Sequence, residues 1–127
     1  TLLVGIYDTA AMKMSILHQK GTFNQAIVGI PPNSKFDTEY LFFVLNYMKV
    51  EILNQRRGVR QMNLSLAKIK NINIPKPTLE EQIRIINSCI AFKEQTTNLE
   101  KFLVKKLYLL NSLKNSILNQ KLNNKAA

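Results

Sequence analysis

The stretch "IPKPTLEEQIRII", Ile74 to Ile86, decides how this chain is built. Proline holds the residue before it in extended backbone, so Ile74 to Lys76 cannot be helical interior. Thr78 then stands at an N-cap position. Glu81, three residues on, completes a capping box, and Glu80 and Glu81 set negative charge where the helix dipole favours it. The stretch therefore joins an extended segment to the start of a helix.

Downstream, Leu79 to Leu122 contains neither proline nor glycine. About 44 helical residues at ~1.5 Å each would span ~66 Å. Ile85, Cys89, Phe92, Thr96, Leu99, Leu103, Lys106, Leu110, Leu113 and Ile117 follow alternating steps of four and three. That is a heptad seam, apolar except at Thr96 and Lys106, and it predicts a coiled coil with a partner helix. Leu79, Ile83, Ile86 and Ile90 widen the apolar face where the helix begins, next to the preceding domain. Every charged residue after Glu100 is a lysine, from Lys101 to Lys125. Such a run is more often a solvated face than a binding site, and here it also suits an acidic partner protein or a DNA backbone.

Upstream, "LLVGIY" (Leu2–Tyr7), "MSIL" and "TFNQAIVGI" (Thr22–Ile30) read as strands. Asp37 or Thr38 caps a helix to about Leu53, with Leu41, Val44, Leu45, Met48 and Ile52 on its buried stripe. A basic loop, "NQRRGVRQMN", follows. A helical turn at Ser65–Ile69 and a last strand at "INIP" lead to the junction. The fold class is α+β: a mixed sheet with short helices in 1–77, then one long helix in 78–127. So few residues hardly close a sheet, and we expect part of the first domain to lie outside this chain.

Bulk composition narrows the function. Eighteen Lys and Arg against eight Asp and Glu give +10. That points to a polyanion, DNA or RNA ahead of a membrane surface. A generally basic proteome is the plainer explanation. A single cysteine, Cys89, excludes an internal disulfide and fits a reducing cytoplasm. With one histidine, His18, the chain offers no zinc site, no Ser-His-Asp set and no Cys-His pair close in sequence. No GxGxxG or P-loop stands between strand and helix. "GIPPNS" lacks the leading Asn and trailing aromatic of an amino-methyltransferase motif and reads as a turn. No catalytic residue, cofactor or metal is expected.

The order "LLVGIYDTAAMK", "GTFNQAIVGIPP", a Tyr-Leu-rich helix and "RGVRQMNLSLAKIKNINIPKPTLEEQIRII" resembles the specificity (S) subunit of type I restriction-modification systems. The resemblance covers essentially the whole chain, as the second half of a target-recognition domain and its conserved helical region. Its most specific part is the ending, "NINIPKPTLEEQIRI", with two spaced prolines, then Glu-Gln, then Ile. There are departures. Where the family often has Tyr-Gly-Thr and later Gly-Lys, this chain has Tyr7-Asp8-Thr9 and Met12-Lys13. Asp8 would repel phosphate at that turn.

The resemblance implies a non-catalytic, DNA-binding component in a bacterial or archaeal cytoplasm, reading half of a split site on double-stranded DNA. Its partners would be methyltransferase (modification) subunits, a restriction subunit, and another S half or copy through the long helix. Arg56, Arg57 and Arg60 flank Gly58 beside Gln61 and Asn63. Arginine suits guanine and Gln or Asn suits adenine, although phosphate clamping is the commoner use of such arginines. Lys13 and Lys20 on the early loops are further candidates. Asn24 and Gln25 serve DNA or backbone equally well. The expected helix-pairing residues are Ile85, Cys89, Phe92, Leu99, Leu103, Leu110, Leu113 and Ile117. The competing expectation is a protein-interaction module that works through the helix and reads no DNA.

Overall fold

The computed structural model describes residues 1–7, 11–54 and 64–123. Three strands, β1 (Leu2–Gly5), β2 (Met14–Ile16) and β3 (Ile27–Ile30), precede three helices, α1 (Thr38–Asn54), α2 (Leu66–Lys70) and α3 (Leu79–Asn123). The class is α+β. The strands form one sheet in the order β2-β1-β3. Both pairings are antiparallel, where the sequence suggests a mixed sheet. The link from Gly5 to Met14 is shorter than the dozen or so residues a parallel crossover needs. Leu2 and Val4 lie opposite Ile16 and Met14 on one side and Ile30 and Val28 on the other. Period-two alternation thus gathers six apolar side chains on one face, which packs with Leu41, Leu45 and Ile52 of α1.

Two expected strands are corrected. Of Thr22–Ile30 only Ile27–Ile30 is strand. Asn24 Oδ1 accepts the Ala26 N–H at 3.0 Å and the Asn24 carbonyl accepts the Ile27 N–H at 3.1 Å, so an Asx turn ends the extended run. "INIP" pairs with no strand among the described residues. Pro75 and Pro77 have no N–H for a ladder, and the Ile72 N–H turns back to the Ile69 carbonyl. Ile72 and Ile74 still pack half-buried against the core, which explains their alternation.

The β1–β2 link ends in a bulge. Met12 has φ 57°, in the left-handed region, with its N–H on the Gly5 carbonyl while the Gly5 N–H reaches the Lys13 carbonyl, both at 2.9 Å. A glycine-type bulge normally places Gly at this position. Met12 holds it because its side chain is fully buried. Left-handed backbone costs an L-residue about 1–2 kcal/mol, whereas truncating a buried methionine costs about 2–5 kcal/mol. Met12→Gly should therefore destabilise, by about 1–3 kcal/mol. Met12→Ala should be worse still, since it loses the side chain and keeps the strain. Urea titration of both variants checks the order, and alanine proving the milder change would contradict the bulge.

Contacts divide the chain into two compact units, Thr1–Cys89 and Ile90–Ala127. The first takes in the opening turns of α3, whose buried residues are Gln82 and Ile86.

Candidate nucleic-acid interface and its helical support

The candidate DNA-contacting residues fall into three groups. Arg56, Arg57, Arg60, Gln61 and Asn63 lie outside the described residues. The chain on either side of them is fixed: Ile52 is buried near the end of α1, and Leu64 is buried with its N–H on the Ile6 carbonyl at 2.8 Å. Lys13 is exposed, and its carbonyl accepts from Gly5 at the same end of β1. The structure thus brings Lys13 and the residue that follows the arginine-rich segment to one end of the sheet, beside the C-terminal end of β1. Lys20 is elsewhere. The neighbouring Leu17 N–H is bonded to the Thr1 carbonyl, at the opposite end of β1. Asn24 spends its side-chain oxygen on the backbone of Ala26.

Residues of the Pro-Lys-Pro junction hold the start of α1 to the start of α3. Thr78 and Glu81 form the anticipated capping box. Glu81 Oε2 accepts from the Thr78 N–H and hydroxyl, each at 3.0 Å, and Thr78 Oγ1 accepts the Glu81 N–H at 3.3 Å. These bonds to Thr78, helped by the Arg84 charge, hold the Glu81 carboxyl below its ordinary pKa. The sign follows. The depressed pKa adds stability above the usual carboxylate range, and that share is lost as pH falls through the folded-state value.

Gln82 was not legible as a structural residue. It is fully buried, the one buried polar side chain among the described residues. Its Oε1 accepts the Asp37 N–H at 2.8 Å, and its Nε2 donates to the carbonyls of Lys35 and Pro77, both at 3.1 Å. Asp37 caps α1 in turn, its Oδ1 accepting the Glu39 N–H at 2.7 Å. One amide therefore locks together the start of α1, the exit from Pro77 and the first turn of α3. Tyr40 adds a second tie through its hydroxyl, which donates to the Pro75 carbonyl at 2.9 Å. Burial pushes the Tyr40 pKa up, so the hydroxyl keeps the proton it donates. The only advance signal for Gln82 was its place after Glu81 in a helix-opening motif.

The residues expected to pair helices lie on the outside. Among seam positions Cys89 is half-buried, while Phe92, Leu99, Leu103, Leu110, Leu113 and Ile117 are about half or more exposed. Among the described residues no group of His, Cys, Asp or Glu could hold a metal ion, and no helix is long and apolar enough to cross a membrane.

Comparison with curated proteins and with solved structures gives no match. The family model for the type I restriction modification DNA specificity domain matches residues 2–109. That span runs from β1 through the Gln82 lock and well into α3. The chain belongs to the type I restriction modification DNA specificity domain family, whose role is DNA recognition.

Proposed function

We propose that this chain is the DNA-reading specificity component, a fragment or half-length S subunit, of a type I restriction-modification complex. Residues 1–77 form part of a target-recognition domain that reads half of a bipartite site on double-stranded DNA. Residues 78–127 form the helical domain, which pairs with another S half or copy and docks the methyltransferase subunits; the restriction subunit joins that core. The observation that carries the reading is the extent of the family match, which includes both the sheet and most of α3. The net charge of +10 supports a polyanionic partner.

Arg56, Arg57, Arg60, Gln61 and Asn63 are the proposed DNA contacts, with Lys13 and Lys20 as weaker candidates. Each phosphate contact contributes roughly one unit to the slope of log affinity against log salt. Replacing Arg56, Arg57 and Arg60 with alanine in the assembled complex should flatten that slope by about two to three units. Fluorescence anisotropy at several salt concentrations measures it. Unchanged affinity and slope would remove this segment from the interface. The exposed apolar side of α3 favours a second reading, a protein-interaction module acting through the helix without reading DNA.

A further inference from the structure

The first unit grips the opening turns of α3 mainly through polar bonds. Only Gln82 and Ile86 of that helix are buried, while Leu79, Ile83, Ile85 and Ile90 are 38% to 52% exposed. A single buried isoleucine lets a helix tilt at little cost, because the hydrophobic effect has no direction. Hydrogen bonds do have one, and they weaken steeply below about 120°. Gln82 commits its amide oxygen and nitrogen to three backbone groups, of Asp37, Lys35 and Pro77. The receiving loop is itself fixed, since Asn33 Oδ1 accepts the N–H groups of Lys35 and Phe36 at 2.9 and 3.1 Å. Tyr40, stacked on Phe36 with ring centres 6.3 Å apart, carries the second tie to Pro75.

We infer that Gln82 is a positioning residue: its amide sets the angle at which α3 leaves the first unit, and so how strictly the assembled protein measures the spacer between half-sites. This rests on the reading of the chain as a specificity component, and it names the side chain that holds the angle. The lever is long enough for small errors to matter. Leu99, on the seam, lies 17 residues beyond Gln82, or roughly 25 Å at ~1.5 Å per residue. Tilting such a lever by about 8° moves its far end by ~3.4 Å, the rise of one base pair. One apolar contact tolerates that tilt, and three directed bonds resist it. The lock is also separate from the candidate reading surface. Lys13 and Leu64 are tied to Gly5 and Ile6, whereas Gln82 joins the loop before α1 to the exit from Pro77. Gln82 should therefore govern the spacer and leave half-site sequence alone.

The test uses the full chain assembled with the modification subunit, with methylation mapped on genomic DNA. Wild type should methylate sites of one spacer length. Gln82→Leu, grown at a temperature where circular dichroism shows it folded, should also accept spacers one base pair longer or shorter. The ratio of native to shifted spacers should fall by ~10-fold, and by a smaller factor for Tyr40→Phe, which loses one bond and keeps its ring. Half-site sequences should stay the same. A weakened fold alone lowers methylation at every spacer in proportion, so an unchanged ratio would overturn the proposal. Altered half-site sequences at a constant spacer would overturn it too.

A second measurement needs no DNA. Spin labels at Ser15→Cys and Lys101→Cys, in a Cys89→Ser chain diluted into unlabelled protein, report the angle as a distance distribution. It should be narrow with Gln82 and broad with Gln82→Leu. With Gln82→Glu it should be broad at neutral pH and narrower in mild acid, where the carboxyl regains a proton to donate. That variant decides the matter if leucine prevents folding, and a distribution equally narrow in all of them would refute the lock. Broadening in a chain whose complex reads no DNA would sink the proposed function alone. A DNA-reading complex that keeps one spacer in every variant would sink this inference alone.

Discussion

Replacing Gln82 with leucine should lower the stability of the first unit by about 3 kcal/mol or more. The side chain is fully buried and makes three hydrogen bonds to backbone groups of Lys35, Asp37 and Pro77. Leucine is close in size, so packing is largely kept and the loss is polar. Each stranded, partly buried backbone group costs about 1–3 kcal/mol, eased where water can reach it. Gln82→Glu sharpens the test. A carboxylate can still accept from Asp37, but it has no proton for the two carbonyls and sets negative charge against them. Glutamate should therefore be as damaging as leucine at neutral pH and should recover partly under mild acid, where it protonates. Urea unfolding followed by circular dichroism measures both. A Gln82→Leu change below about 1 kcal/mol would mean that the three bonds are replaced by water.

Replacing Leu99 and Leu103 with aspartate should abolish self-association and leave the first unit folded. Both side chains are more than half exposed, and both lie beyond Cys89, outside the first unit. Nothing in that unit's core depends on them. In a paired seam, each change removes a buried leucine and puts an unpaired carboxylate in an apolar layer. Several kcal/mol follow, and at about 1.4 kcal/mol per decade the dimer constant should weaken by ~1,000-fold or more. Sedimentation velocity at high micromolar concentration reads the result. A wild-type chain that is already monomeric there would refute pairing, and a variant that still associates would put the contact on another surface.

Helices were far easier to read than strands. The long helix was legible from one capping box and the absence of breakers, and α1 from a cap at Asp37 and a stripe at Leu41, Leu45 and Ile52. Both signals are local and repeat over many residues. Strands are short, and a side-chain turn at Asn24 or prolines at 75 and 77 can end them, although the apolar alternation runs on. Ile72 and Ile74 bury like strand residues without pairing, because alternation reports burial and not hydrogen bonding. Gln82 was missed for a related reason. A glutamine in the first turn of a helix looks solvent-facing until the loop that covers it is known, and two of its three partners, Asp37 and Lys35, lie 45 and 47 positions earlier. Met12 carried a trace of its role, standing where the resembling family often has glycine.

The most direct test of the account is the affinity of this chain for duplex DNA, alone and with the modification subunit, measured from about 50 to 200 mM salt. A specificity component with several phosphate contacts should lose ~10³-fold or more in affinity over that range. The expected result is a linear fall of log affinity with log salt, steeper in the assembled complex. Assembly with the modification subunit, with no salt-dependent DNA binding in either form, would contradict DNA reading and leave the helix as the working part of the chain.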